Sequence, residues 1–249
     1  MIMGVGGTGG NFAKEFCRYV SFLPEEKKEQ INIVFVDGDI VEEKNLARQP
    51  FNSDNISQSK AMSLAEAVAD NFDLDVSVVD KYITETSEIV DIVTNLSGDN
   101  NYGDNFTLPI IVGCVDNHRA RQVFHEYFNS VSNCLYIDSA NEFESGEVIT
   151  AAKIKGEIVN PPRGFYFPEV LEDKSPNKLE ESCGAINVSS PQHIMTNIMA
   201  GNIILSEIVR FLEKGLIEEG IIFFNAFKPY ITRRVPEKKA ERSGDNESQ

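Results

Sequence analysis

The sequence predicts an α/β fold, a mostly parallel sheet flanked by helices and extended at its C-terminal end by a pair of antiparallel strands. Three observations carry this. Short apolar, β-branched runs alternate with stretches of helical periodicity, which requires crossover connections and therefore parallel strands. A glycine turn, Gly4-Val5-Gly6-Gly7-Thr8-Gly9, separates the first apolar residues from the first helical stretch. The next apolar run ends in an acid, Asp37, as a sheet whose carboxyl edge forms a site would require.

Taken in order, Ile2-Met3 forms a very short first strand. Residues 11–22 place Phe12, Phe16, Tyr19 and Val20 at helical spacing, and Pro24 with the charges after it ends that helix. The β-branched run 31–36 is a buried strand that stops at Asp37-Gly38-Asp39. Residues 60–72 are helical, with Ala61, Leu64, Ala65 and Val68 on one face; 76–82 follow as a strand and 87–96 as a helix. The polar stretch 97–105 is a loop. Strands at 109–115, 134–137 and 148–154 come next, the first two separated by a helix at 120–128. Residues 156–190 hold four of the ten prolines and little periodicity, so they read as a long crossover or loop. A long helix at 192–212 and closing strands at 220–224 and 230–232 complete one domain, 1–235. The tail 236–249 has no sizeable apolar side chain and is expected to be disordered.

A chain of 249 residues with 41% hydrophobic side chains can bury a full core. Its net charge of −16 argues against a nucleic-acid partner, which calls for a basic face. No apolar run reaches the length of a bilayer span and no secretory signal is visible, so no membrane partner and a cytoplasmic location are expected. The four cysteines are widely spaced. Cys114 and Cys134 lie in apolar runs and read as reduced core residues, and no zinc site is expected.

A glycine turn between strand and helix lets backbone amides and the positive end of the helix dipole approach phosphate oxygens. The same turn also occurs as a plain tight corner. Asp37, closing so apolar a strand, stands where a ribose hydroxyl would be held, although a turn carboxylate could simply face solvent. The run after it reads Asp37-Gly-Asp-Ile-Val-Glu-Glu-Lys-Asn45-Leu-Ala-Arg48-Gln-Pro-Phe, then Asp54 to Lys60-Ala. A second block, Cys114-Val-Asp116-Asn117, ends a strand and opens a helix.

These blocks resemble the ThiF/MoeB family, bacterial relatives of the ubiquitin-activating enzymes. A third block, Asp138-Ser-Ala-Asn141 through Gly146-Glu-Val, Phe167-Pro-Glu and Ser182-Cys183-Gly184, is most similar to the ThiF-type proteins of the PRTRC gene cluster. The resemblance implies a Rossmann-like domain whose nucleotide-binding half is 1–140 and whose acceptor-binding and dimer half is 141–235. It implies ATP- and magnesium-dependent adenylation of the C-terminal carboxylate of a small ubiquitin-like or sulfur-carrier-like protein, by a homodimer. Gly4, Gly6, Gly7, Gly9, Asp37, Asn45 and Asn117 would line the nucleotide site. Arg48 and Lys60 would contact phosphates and Asp116 would hold magnesium. Outside the ordered motif, the two cations could be surface residues and Asp116 a helix cap. In some relatives a cysteine near the position of Cys183 carries the acyl group; here the flanking Glu180 and Glu181 oppose a thiolate, and a bystander cysteine is the other reading.

One departure matters. Relatives such as MoeB reach into the partner's ATP site with an arginine on an N-terminal helix. Here the turn starts at residue 4, so that arm is expected to be absent or lost, and either its cation comes from elsewhere, Arg18 or a partner, or activity is weak. Two other readings stand beside adenylation: a non-catalytic nucleotide-binding scaffold, and an NAD-dependent oxidoreductase, which Asn45, Arg48, Lys60 and Asp116 disfavour.

Overall fold

The computed structural model describes residues 1–97, 107–174, 192–228 and 230–235. The expectations for 97–105, for Cys183 and for the tail fall wholly or almost wholly outside these residues.

The strands are β1 (Ile2–Met3), β2 (Val34–Val36), β3 (Ser77–Val79), β4 (Ile110–Gly113), β5 (Cys134–Asn141), β6 (Ser145–Ile154), β7 (Glu157–Asn160), β8 (Ile221–Asn225) and β9 (Tyr230–Arg234). The helices are α1 (Gly7–Ser21), α2 (Glu25–Lys28), α3 (Lys60–Phe72), α4 (Thr86–Ser97), α5 (His118–Ser130), α6 (Arg163–Tyr166), α7 (Glu169–Glu172) and α8 (Ile194–Lys214). One sheet joins the strands in the order β3-β2-β1-β4-β5-β6-β8-β9, with β7 paired to β6. The first five are parallel to one another, and every pairing that involves β6, β7, β8 or β9 is antiparallel. The sheet is the α/β arrangement expected, but its antiparallel part starts earlier than the closing pair. Between β5 and β6 only three residues intervene, too few for a crossover helix, so the chain must turn straight back.

The stretch 156–190, read as loop, contains β7 and two single-turn helices within its described part. Lys155 and Gly156 both take positive φ, at 51° and 84°. Such a turn matches the twist of a two-residue hairpin, so β6 and β7 pair across it. The prolines mask this signal in the sequence.

The two sheet faces bury different helices. On one, Phe12 and Phe16 of α1, Leu64 and Val68 of α3, and Ile203, Ile204 and Ile208 of α8 form a single core with β-strand residues. On the other, Ile89 of α4 and Phe124, Tyr127 and Phe128 of α5 pack against Val34, Ile111 and Tyr136. Helix α8 is long and apolar enough to cross a membrane by length and composition, yet it packs on α1 and buries Asn197 and Glu207 in the protein. That is the pattern of a core helix. Where α8 crosses α1, a Cβ on Gly201 would come within 3.2 Å of the Phe12 amide nitrogen, so the close crossing depends on a small residue there.

From β1 the chain moves outward through β2 and β3, then returns to β4 on the other side of β1. The strand order therefore reverses between β1 and β4. In open α/β sheets this is where the loops at the carboxyl edge diverge and leave a crevice.

Candidate functional site

The crevice is built first by the glycine turn. Gly4 sits at φ 84°, and a Cβ there would stand 2.8 Å from the Cys114 carbonyl, so the loops after β1 and β4 touch through bare backbone. A Cβ on Gly9 would fall 1.8 Å from the Gly4 carbonyl. Helix α1 starts at Gly7, inside the turn rather than at residue 11, because these residues leave room for the first helical turn to fold over the loop. Its N-cap, Gly6, supplies no side-chain hydrogen bond. An uncapped helix start at a sheet's carboxyl edge carries partial positive charge with donors to spare.

Asp37 locks this turn in place. Its carboxylate accepts from the amides of Val5 (2.8 Å) and Asp39 (2.9 Å). Burial raises its pKa, helped by the nearby Asp39 charge, while Lys60 and the two amides pull the other way. Asp39 in turn binds Lys60 Nζ at 2.9 Å and accepts from the Tyr82 hydroxyl. Lys60, at the start of α3, is 6% exposed, which takes it out of the surface class.

Asn45 builds a turn. Its Oδ1 accepts from the Glu42 amide at 2.9 Å, and its carbonyl accepts from the amides of Arg48 and Gln49. That single turn aims the next two side chains at the loop. Arg48 Nη1 lies 3.4 Å from where a Gly7 Cβ would be, and Gln49 Nε2 stands at the same distance from that point on Gly6. Arg48 is otherwise held by a 3.4 Å contact to Gln192.

Asp116, on the loop after β4, is exposed at the rim of the crevice. The helix-capping role open to it in the sequence belongs to its neighbour: Asn117 is the N-cap of α5 and accepts from the Ala120 amide at 2.8 Å. Among the described residues no group of three metal-ligating side chains occurs. A magnesium held by one carboxylate and by phosphate oxygens does not need one. Arg18 lies elsewhere. It pairs with Glu15 on the exposed side of α1, about three turns or ~16 Å from Gly7 along the axis.

The structure adds residues that the sequence did not point to. Gln192 just before α8 and Asn197 within α8 join Asn141, the last residue named in the third block's first segment, around Thr8 and Gly7. Gln192 and Asn197 come from the opposite half of the chain and share no motif with the loop, so spacing gives no sign of them. The acidic member of the third block serves another purpose. Asp138 is buried and binds Arg121 (3.2 Å) and Arg163, whose charges hold its carboxyl below the ordinary value although burial alone would raise it. The sulfur chemistry open to the described cysteines is slight. Burial pushes the thiols of Cys17 and Cys134 up to about 12 and that of Cys114 higher still, and all three are free.

Comparison with known proteins bears on this arrangement. The model of the ThiF family matches residues 1–244. No match was found among curated protein sequences. Solved structures similar to the chain include Escherichia coli MccB with ATP (14% identity, TM-score 0.62, covering 96% of this chain and 64% of that one). The same protein with AMPCPP and MccA is similar at 15% identity and TM-score 0.63, covering 94% and 62%. PaaA is similar at 15% identity and TM-score 0.59, also covering 94% and 62%. The chain thus spans somewhat under two thirds of the length of these neighbours, which share its fold.

Proposed function

The chain belongs to the ThiF family, and on that premise we propose that it adenylates the C-terminal carboxylate of a small ubiquitin-like or sulfur-carrier-like protein, using ATP and magnesium. The observation that carries this reading is the uncapped start of α1, with Arg48 closing over Gly7 and the buried Lys60 held on Asp39, two residues past the Asp37 that locks the turn. Two of the similar structures, MccB with ATP and MccB with AMPCPP and MccA, support it.

The fit to a nucleotide triphosphate is chemical. Attack of a carboxylate on the α-phosphorus brings two anions together, and pyrophosphate leaves with further charge. The site offers what that needs: helix-terminal amides, two cations and glycines that let phosphates approach the backbone. Arg48 would neutralise the phosphates across the loop. Lys60 would do so from α3, with Asp39 holding its ammonium in place. Asp37 is assigned to the ribose, since a carboxylate that already binds two amides keeps lone pairs for hydroxyls. Asp116 is assigned to magnesium, which when bound would offset charge on the phosphates. Asn45 and Asn117 would act by setting the turn and the helix start on either side. The acceptor and a homodimer partner are assigned to the C-terminal half, where α8 and β9 leave Met195 and Ile231 exposed.

The test is ATP–pyrophosphate exchange with candidate acceptor proteins. Exchange that depends on magnesium and acceptor is expected, and Asp116→Ala should abolish it while the fold survives. Unchanged turnover in that variant would remove the metal assignment. ATP binding without exchange for any acceptor would favour a nucleotide-binding scaffold, and NADH binding in place of ATP would overturn both.

A further inference from the structure

Asn197 is fully buried, and its carboxamide Nδ2 has no hydrogen-bond partner. A buried amide donor left unpaired is costly and calls for an explanation. Its position supplies one. Nδ2 stands 2.1 Å from the point a Gly7 Cβ would occupy, so it rests directly on the first residue of α1. Here an unpartnered donor, an uncapped helix start and the Arg48 guanidinium meet.

The orientation of that amide is fixed by a chain of hydrogen bonds with one direction. Ser139 Oγ donates to Asn141 Oδ1 at 3.0 Å, and Asn141 Nδ2 donates to Thr8 Oγ1 at 2.6 Å. Thr8 therefore accepts from Asn141 and has its single hydroxyl proton left to give. It gives it to Asn197 Oδ1, at 3.5 Å. With its oxygen so engaged, Asn197 must turn its nitrogen toward Gly7. Reversing the amide would set two donors on the Thr8 oxygen and leave the hydroxyl proton without an acceptor.

We propose that Asn197 is a nucleotide-binding residue whose Nδ2 donates to a phosphate oxygen at the start of α1, oriented by the relay from Ser139 through Asn141 and Thr8. The inference rests on the ATP-dependent reading above and adds to it a donor from the C-terminal half. Arg48, whose side-chain hydrogen bond among the described residues is the long contact to Gln192, is the side chain that lifts to admit the phosphate.

The experiment measures binding of ATP with magnesium, and of adenosine, by calorimetry on the full chain, with no acceptor present. Asn197→Ala should raise the ATP Kd about 10- to 100-fold, the worth of a hydrogen bond to a charged group. It should leave adenosine affinity within twofold, and the melting temperature of the free protein should fall only as far as it does in Thr8→Val, because the bond lost there is the one Asn197 Oδ1 accepts from Thr8. Asn197→Asp should weaken ATP binding at least as much by setting a carboxylate against the phosphate. Thr8→Val, which keeps shape but removes the hydroxyl, should cost about threefold by freeing the amide to turn. A purely structural Asn197 predicts a lower melting temperature with ATP affinity intact, and that result overturns the proposal. Equal losses for ATP and adenosine overturn it as well. Should Asn197→Ala fail to fold, Thr8→Val decides, and unchanged ATP affinity in it sinks the idea. A wild-type protein that does not bind ATP removes the adenylation reading itself, and this inference with it.

Discussion

Asp138 shows how a single residue can hold distant segments together. Its two oxygens face guanidinium groups from α5 and α6, and Arg163 continues to Glu147 on β6 at 2.6 Å. Removing that charge leaves two cations in a buried space. Asp138→Asn is expected to cost about 3–5 kcal/mol, read as a lower urea midpoint with unchanged slope. Lys60 is a comparable case on the site side. Replacing it by Met keeps the buried stem but leaves Asp39 without its ammonium partner, and ATP affinity is expected to fall about tenfold or more by titration. A loss in stability with full ATP affinity would reduce Lys60 to a structural partner of Asp39.

At the scale of elements, helix starts decide much of the architecture. Helix α1 has no side-chain cap, while the start of α4 is sealed by Glu88, which accepts from the amides of Thr84 (2.8 Å) and Glu85 (3.1 Å) and from Lys81. Partial burial raises the Glu88 pKa, but Lys81 and these amides outweigh it and bring the value down to about 2. The depressed value fixes the sign. The interaction stabilises the folded protein above the unfolded carboxyl's ordinary range, near 4.5, and is lost as pH falls toward about 2. Glu88→Gln should therefore cost about 1 kcal/mol at pH 7, and the gap to wild type should narrow below pH 4 in denaturant titrations. The α1 start depends on glycine instead. In Gly9→Ala the new methyl meets the Gly4 carbonyl, and about 1–3 kcal/mol of strain is expected, with ATP affinity falling as the turn opens.

Over the whole molecule, the candidate site draws on the first turn of α1, the segment from Asp37 to Lys60, the loop after β4, the end of β5 and the start of α8. A ligand that bridges these segments stabilises all of them together. At a hundredfold excess over Kd, ATP should add about 2.7 kcal/mol, or roughly 5–10 °C in melting temperature for a chain of this size. No shift at any ATP concentration would argue against the site.

The chain's own pattern determined the parallel half of the sheet, because β-branched runs broken by helical periods allow few other arrangements. It also determined the glycine turn and the cations, since Gly4 to Gly9, Asp37, Arg48 and Lys60 lie close enough in sequence to form one ordered motif. The boundaries of α3 followed from the apolar face of Ala61, Leu64 and Val68. Tertiary structure alone decided the rest. That Asn117 rather than Asp116 caps α5 depends on where β4 ends, and that β6 doubles back on β5 depends on a turn too short for a helix. Asn197 meets Thr8 because α8 crosses α1 at Gly201, more than 180 residues from the glycine turn it covers, and Asn141 meets it from the end of β5. Hydrogen bonds act over about 3 Å in space whatever the separation along the chain, and only the folded chain brings these residues within that distance.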